Sequence, residues 1–306
     1  MPHLTEARDQ WPALPLDAWR DTYATLHMWM QVIGKICLVL TPLTNHFWNI
    51  AFRLTSRGLV TPVMDAGSRA LTITFDFLDH QLVMETSDGQ TARLPLEPRT
   101  VAAFHADVMA ALDRMGIRAR IWTMPVEIPD PIRFEEDTVH HSYDPAAAHT
   151  FWRVLLAIEP VLERFRGGFI GKCSPVHFFW GSCDLAVTRF SGRPAPARPG
   201  ADAITREAYS HEVISHGFWP GSEAVPEPAF YAYAAPEPAG FRSAAVEPAG
   251  AYYSQDLSEF ILPYEAVRTA DRPASVLTAF VESTYAAAAD LAAWDRDGLE
   301  RRTSAR

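Results

Sequence analysis

Three landmarks occur twice along this chain in the same order, which constrains it to fold as two related units. The tripeptide Ile-Gly-Lys stands at 33–35 and again at 170–172. A histidine followed by aromatic residues comes next and reads as the start of a strand, His46-Phe47-Trp48 in the first half and His177-Phe178-Phe179-Trp180 in the second. Leu94-Pro95-Leu96-Glu97 and Leu262-Pro263-Tyr264-Glu265 complete the set. The separation is far longer than a solenoid period and the spacing varies, so an internal duplication is the better reading. The expected units are residues 1–128 and 129–306, packed together with a pocket between them.

Each unit reads as helix, antiparallel strands, helix. Apolar residues recur at helical spacing over 17–32 and over 145–165, the latter with Pro160 as an expected kink. Gly34 and Gly171 are placed where a left-handed helix cap is wanted. Strict alternation from Leu71 to Phe77 predicts a strand that buries Leu71, Ile73, Phe75 and Phe77 on one face, and Ser87-Asp88-Gly89-Gln90 predicts the turn after its partner. Residues 118–128 read as a further strand, 191–203 as a loop, and 99–115 and 273–294 as closing helices. Glu-Pro-Ala at 227, 237 and 247 separates short segments that suit a meander; a proline-rich mobile lid over 220–255 is the alternative. The expected fold class is α+β, two pseudo-repeated units, each helix, antiparallel meander sheet, helix. The arrangement is TATA-binding-protein-like or helix-grip-like by analogy of element order alone.

Of 306 residues, 48% are hydrophobic and 21% charged, the balance of a packed core. A formal charge of −10 argues against nucleic acid and anionic membrane surfaces as partners. The first residues lack a basic start and apolar run, and Leu26 to Leu43 is interrupted by His27, Gln31, Gly34 and Lys35, so neither export nor a membrane span is expected. Cys37, Cys173 and Cys183 form no CxxC pair, which fits a reducing compartment. The expectation is a soluble cytoplasmic protein, with its oligomeric state open.

Only Lys35 and Lys172 are lysine among 27 lysine and arginine residues, and both lie in Ile-Gly-Lys. A lysine ammonium loses its proton readily on burial and acts as base or Schiff-base former. At a helix end it would equally well complement the macrodipole, and the sequence leaves both readings open. The paired aromatic segments add His46, Trp48 and Asn49 in one half, and His177, Trp180, Asp184 and Arg189 in the other, as pocket-wall candidates. His211, Glu212 and Trp219 are candidates in the stretch Ser210-His211-Glu212-Val213-Ile214-Ser215-His216. That stretch is not HExxH, because its histidines are five apart. Glu212 and His216 would share a strand face and are weak metal candidates. His140-His141 reads as a solvated loop pair, and Glu97 and Glu265 as charges at helix starts. No nucleophile elbow, Walker loop or dinucleotide fingerprint occurs. Catalytic residues and a cofactor are therefore left unassigned. The functional expectation is a small-molecule ligand bound near the interface of the halves, with an enzyme of unassigned reaction included. A non-catalytic interaction or structural module is the alternative.

GKCSPVHFFWGSCDLAVTRFSGR, SHEVISHGFWPG and FYAYAAPEPAGF, with LHMWMQVIGKICL and NHFWNIAFRL upstream, give a resemblance over nearly the whole chain. The chain resembles a bacterial uncharacterised family, domain of unknown function 5996. The resemblance implies a soluble bacterial protein and brings no activity, cofactor or site residue.

Overall fold

The computed structural model describes residues 10–221 and 225–301. The chain is α+β, with helices α1 to α7 and two six-stranded antiparallel sheets. It divides into two compact units, residues 14–152 with 178–184, and residues 1–13 with 153–177 and 185–306. The chain thus passes between them four times, where the sequence placed one boundary at 128.

The first unit opens with α1 (Arg20–Leu40), which is buried continuously from Thr25 to Cys37. Long and apolar enough to cross a membrane by composition, α1 has 72% of its most apolar window buried inside the fold, as a core helix does. Burying a Leu, Ile or Met side chain yields about 1.5–3 kcal/mol, so Leu26, Met28, Met30, Val32, Ile33 and Ile36 make α1 the anchor of this unit. The strands are β1 (Arg53–Leu54), β2 (Gly58–Val60), β3 (Met64–Asp65), β4 (Ala70–Asp76), β5 (Gln81–Thr86) and β6 (Thr91–Pro95). Their order is β1-β2-β4-β5-β6, with β3 beside β4. The alternation read from the sequence holds: Leu71, Ile73, Phe75 and Phe77 are all buried. The expected turn also forms, with Gly89 at φ 87° and its N–H on Thr86 O at 2.9 Å. Helix α2 (Val101–Arg114) starts at Thr100, whose hydroxyl accepts from Ala103 N at 3.1 Å. It ends at Gly116 (φ 72°), where Ile117 N returns to Leu112 O at 2.9 Å.

From Met115 to Asp144 there is neither helix nor strand. The strand expected over 118–128 is therefore absent. Alternation of buried Ile117 and Ala119 with exposed Arg118 and Arg120 marks an extended chain, but no neighbouring strand pairs with it. Side chains of α1 hold the segment instead. Thr25 and Thr22 accept from Ser142 N and Asp144 N, each at 3.0 Å, and Gln31 holds Val126.

Helix α3 (Pro145–Gly167) begins in the first unit and ends in the second, with Pro160 inside it. After α3 the chain adds β7 (His177–Phe179), β8 (Asp184–Pro194), α4 (Ala203–Ala208), β9 (His211–Trp219), β10 (Ala229–Ala235), β11 (Tyr252–Ser254) and β12 (Glu259–Pro263), of which Phe178 to Asp184 belong to the first unit and the rest to the second. Then follow α5 (Tyr264–Arg268), α6 (Pro273–Leu291) and α7 (Arg296–Leu299). The sheet order is β11-β12-β10-β9-β8-β7. Of the segments between the Glu-Pro-Ala repeats, the first is β10 and the last contains β11, whereas Phe241–Ser243 is a 3-10 turn rather than a strand. Residues 222–224 of the expected meander or lid lie outside the described residues.

Two further expectations are corrected. His46-Phe47-Trp48 does not start a strand: Asn45–Phe47 is a 3-10 turn with His46 and Phe47 at φ 59° and 57°. Nor do Gly34 and Gly171 cap helices. Gly34 lies inside α1, where a Cβ would sit 2.0 Å from the Trp180 ring. Gly171 lies beyond α3, where a Cβ would meet Leu299 Cδ2 at 2.5 Å and Phe169 Cε1 at 2.7 Å. Both glycines make room for a large side chain.

Candidate functional site

The first unit carries four polar side chains at a four-residue step along α1: Tyr23, His27, Gln31 and Lys35. That step puts them on one face of the helix. Tyr23 stacks on His27 with centroids 5.8 Å apart and planes at 14°. His27 Nε2 lies 2.9 Å from both Trp180 O and Gly181 O, so this nitrogen carries the proton and donates. Burial lowers the imidazole pKa to about 4, against those carbonyls, which favour the charged form. Gln31 Nε2 donates to Val126 O at 2.7 Å while its Oε1 accepts from Val126 N at 2.9 Å, closing a two-bond amide clamp.

Lys35 ends this stripe. Its side chain is 3% exposed, and Nζ lies 4.7 Å from the ring centroid of Trp122, itself 64% exposed. Among the described residues, no carboxylate lies within ion-pair distance of Nζ, and no group hydrogen-bonds to it. Burial lowers the ammonium pKa to about 8. A buried cation facing one aromatic ring, with no counter-charge, is costly to the fold and is the kind of group a ligand completes.

The second unit has a buried cation of another kind. Arg189 on β8 is 2% exposed, with its guanidinium carbon 3.3 Å from the Phe165 centroid, 4.2 Å from Tyr285 and 5.1 Å from Phe169. Its Nη2 donates to Phe165 O. Burial lowers its pKa, and Glu282 is the largest opposing influence. His216 on β9 is fully buried, with Nε2 2.9 Å from Thr284 Oγ1 and the Phe165 ring centroid 4.8 Å from its own in an edge-to-face pair. Burial, with the Arg189 charge second, lowers its pKa to about 3. Cys173, which bridges Arg189 through the backbone, has a thiol pushed up to about 11 by burial. Burial raises Cys37 and Cys183 as well, so all three free thiols are poor nucleophiles.

The remaining candidates disperse. Asn49 closes its own loop, donating to Thr41 Oγ1 at 2.9 Å and accepting from Thr44 N at 3.2 Å. The buried His46 ring sits 5.3 Å from Trp48. Trp180 lies against Gly34 and donates to Ile50 O at 3.0 Å, and Asp184 accepts from Ser182 at 2.6 Å. His177 is buried on β7. Lys172 differs from Lys35: it is half-buried, beyond α3, with Nζ 4.7 Å over Phe190 and Glu207 opposing the lowering of its pKa by burial.

His211 Nδ1 is 3.1 Å from Ser210 Oγ, and Trp219 stacks on Tyr231 at 4.7 Å. Glu212 accepts from Arg193 at 2.8 Å and Ser191 at 2.9 Å. It stands about 13 Å along the strand from His216, four residues at strand rise. The weak metal pair is therefore not brought together, and no metal-binding group of three forms among the described residues. His140 is not merely solvated: its Nδ1 lies 2.7 Å from the buried carboxylate of Asp137. Glu265, in the first turn of α5, pairs with Arg268. A shallow cleft of about 200 Å³ is lined by residues including Glu212, Glu237 and Trp294, and both carboxylates already hold arginines.

A family model described as a family of unknown function (DUF5996) matches residues 11–301. The chain belongs to that family. No curated protein and no solved structure matches it. As a DUF5996 member it takes no activity from its relatives, and the geometry of Lys35 stands by itself. Tyr23, Gln31 and Trp122 were not singled out as site residues from the sequence. The available signal was the four-residue step of polar side chains through the most apolar stretch of the chain.

Proposed function

We propose that this DUF5996 protein binds a small molecule through Lys35. One observation carries the reading: a lysine 3% exposed on the core helix, without a carboxylate partner among the described residues, beneath the exposed ring of Trp122. Unpaired buried charge is disfavoured unless it serves a site. On the same reading the protein is bacterial and works in a reducing cytoplasm without nucleic acid or membrane as partner, as its free cysteines and formal charge of −10 suggest. The duplication belongs to this proposal too, supported by the order of a long helix, six strands and a helix that occurs twice.

Native mass spectrometry of freshly purified protein, followed by thermal-shift screening of small acids and carbonyl compounds, tests the reading. Ligands are expected to raise the melting temperature of the wild type and of Lys172→Met, but not of Lys35→Met. Equal responses in all three proteins would contradict it. The interaction-module reading has its own observation, since Leu38, Val39 and Leu43 are 38%, 46% and 64% exposed at and beyond the end of α1. A protein indifferent to ligands that self-associates, and stops doing so as Leu43→Asp, would favour it.

A further inference from the structure

We infer that the ligand of Lys35 is an apolar or aromatic aldehyde or ketone, held as an imine on Nζ beside the Trp122 ring. The inference rests on the reading of Lys35 as the binding group and adds the class of compound.

Three observations separate a carbonyl compound from an anion. A site for a carboxylate or phosphate supplies several donors, and no other donor of the described residues is bonded into a cluster with Nζ. The described contact of Nζ is an aromatic face at 4.7 Å. Leu38 and Val39, three and four residues beyond Lys35 and so on its side of α1, are 38% and 46% exposed, which adds apolar surface to the Trp122 ring. Finally, attack on a carbonyl needs a free electron pair on nitrogen, which arginine cannot supply near neutral pH; a chain that otherwise relies on arginine for positive charge keeps a lysine here. Burial, which brings this amine to about 8, leaves about a tenth of it neutral at pH 7.

The step balances without any oxidant or reductant. The Nζ electron pair forms a bond to the carbonyl carbon, and the oxygen takes up a proton as nitrogen loses one, giving a carbinolamine. The C–O bond then breaks, water leaves, and the C=N bond forms. Amine and carbonyl compound become imine and one water.

The test uses the full chain, benzaldehyde as probe and sodium cyanoborohydride to reduce the imine to a stable secondary amine, with peptide mapping by mass spectrometry. Labelling of Lys35 is expected to exceed that of Lys172 severalfold, because the Trp122 ring with exposed Leu38 and Val39 beside Lys35 gives the probe an apolar surface to rest on. Lys35→Arg, which keeps the charge, is expected to lose that label while retaining its circular dichroism spectrum. Equal labelling of the two lysines in the wild type would overturn the carbonyl class. Benzoate, run in parallel by thermal shift, separates the two failures. A benzoate shift that is lost in Lys35→Met, without preferential labelling, leaves the binding reading standing and removes the imine. No shift and no preferential labelling would remove both.

Discussion

The two copies of Ile-Gly-Lys end up in unlike surroundings, and the contrast shows what decides the fate of a short motif. At 33–35 the tripeptide lies within α1, with Lys35 buried at 3% exposure. At 170–172 it lies past the end of α3, with Lys172 half-buried over Phe190. The residues on either side account for the difference. Gln31, Val32 and Ile33 precede the first copy and Ile36, Cys37 and Leu38 follow it, so nothing but Gly34 itself interrupts the helix. Gly167 and Gly168 precede the second copy and Pro175 follows, and a helix does not propagate through that sequence. What the copies share is the use of glycine to admit a bulky neighbour, Trp180 in one and Leu299 with Phe169 in the other.

Gly34→Ala breaks the comparison most sharply. Alanine is favoured over glycine inside a helix by about 1 kcal/mol. Yet the new Cβ would lie 2.0–2.3 Å from atoms of the Trp180 ring, which is 2% exposed and bonded to Ile50. The expected net loss of stability is about 3 kcal/mol, read as a lower urea midpoint, as for overpacking that no neighbour can relieve. A stabilised Gly34→Ala would show that Trp180 is not held against the helix.

Acid compares the units through their buried histidines. His27 falls to about 4 and His216 to about 3, both by burial, from an ordinary value near 6.5. Below 6.5 the unfolded chain binds protons that the folded chain does not, so stability falls as pH falls toward those values. The loss at pH 5 is about 2 kcal/mol for each histidine. His27→Gln and His216→Gln should each flatten the acid limb of stability against pH; an unchanged limb would mean that neither ring is sealed.

Lys35 has the opposite slope. Its folded value is about 8 against an ordinary 10.5, so between them the unfolded state is the more protonated and stability rises with pH. At pH 7 the charge costs the fold about 1–2 kcal/mol after allowance for solvent screening, and Lys35→Met is expected to return it as a higher melting temperature. A destabilised but folded Lys35→Met would point to a structural lysine instead. The smallest effect is expected at Gly171→Ala, about 1 kcal/mol, because the atoms it meets are the ends of the Leu299 and Phe169 side chains, which can move.

Much of the fold was legible wherever periodicity and turn chemistry agree. The strand at Leu71–Phe77, the Asp88-Gly89 turn and the long helices at either end of each half follow from local pattern. The extended character of 117–120 was legible as well, but its lack of a partner strand was not, since pairing depends on residues distant in sequence. Lys35 and Lys172 could be named from composition alone, whereas which of them is the more buried depends on how far α1 runs and where residues 122 and 180 return to it. The Arg189 cage was out of reach for the same reason: Phe165 and Phe169, at the end of α3 and just past it, meet Arg189 of β8 and Tyr285 of α6, which lie far along the chain from them.

Because the chain has only two lysines, their titration can be read directly. Reductive methylation with carbon-13 formaldehyde gives one resonance set for each, assigned by Lys35→Arg and Lys172→Arg, and followed from neutral to alkaline pH. Lys35 is expected to titrate near 8, and Lys172 above it. Two coincident midpoints near the ordinary lysine value of about 10.4 would contradict it.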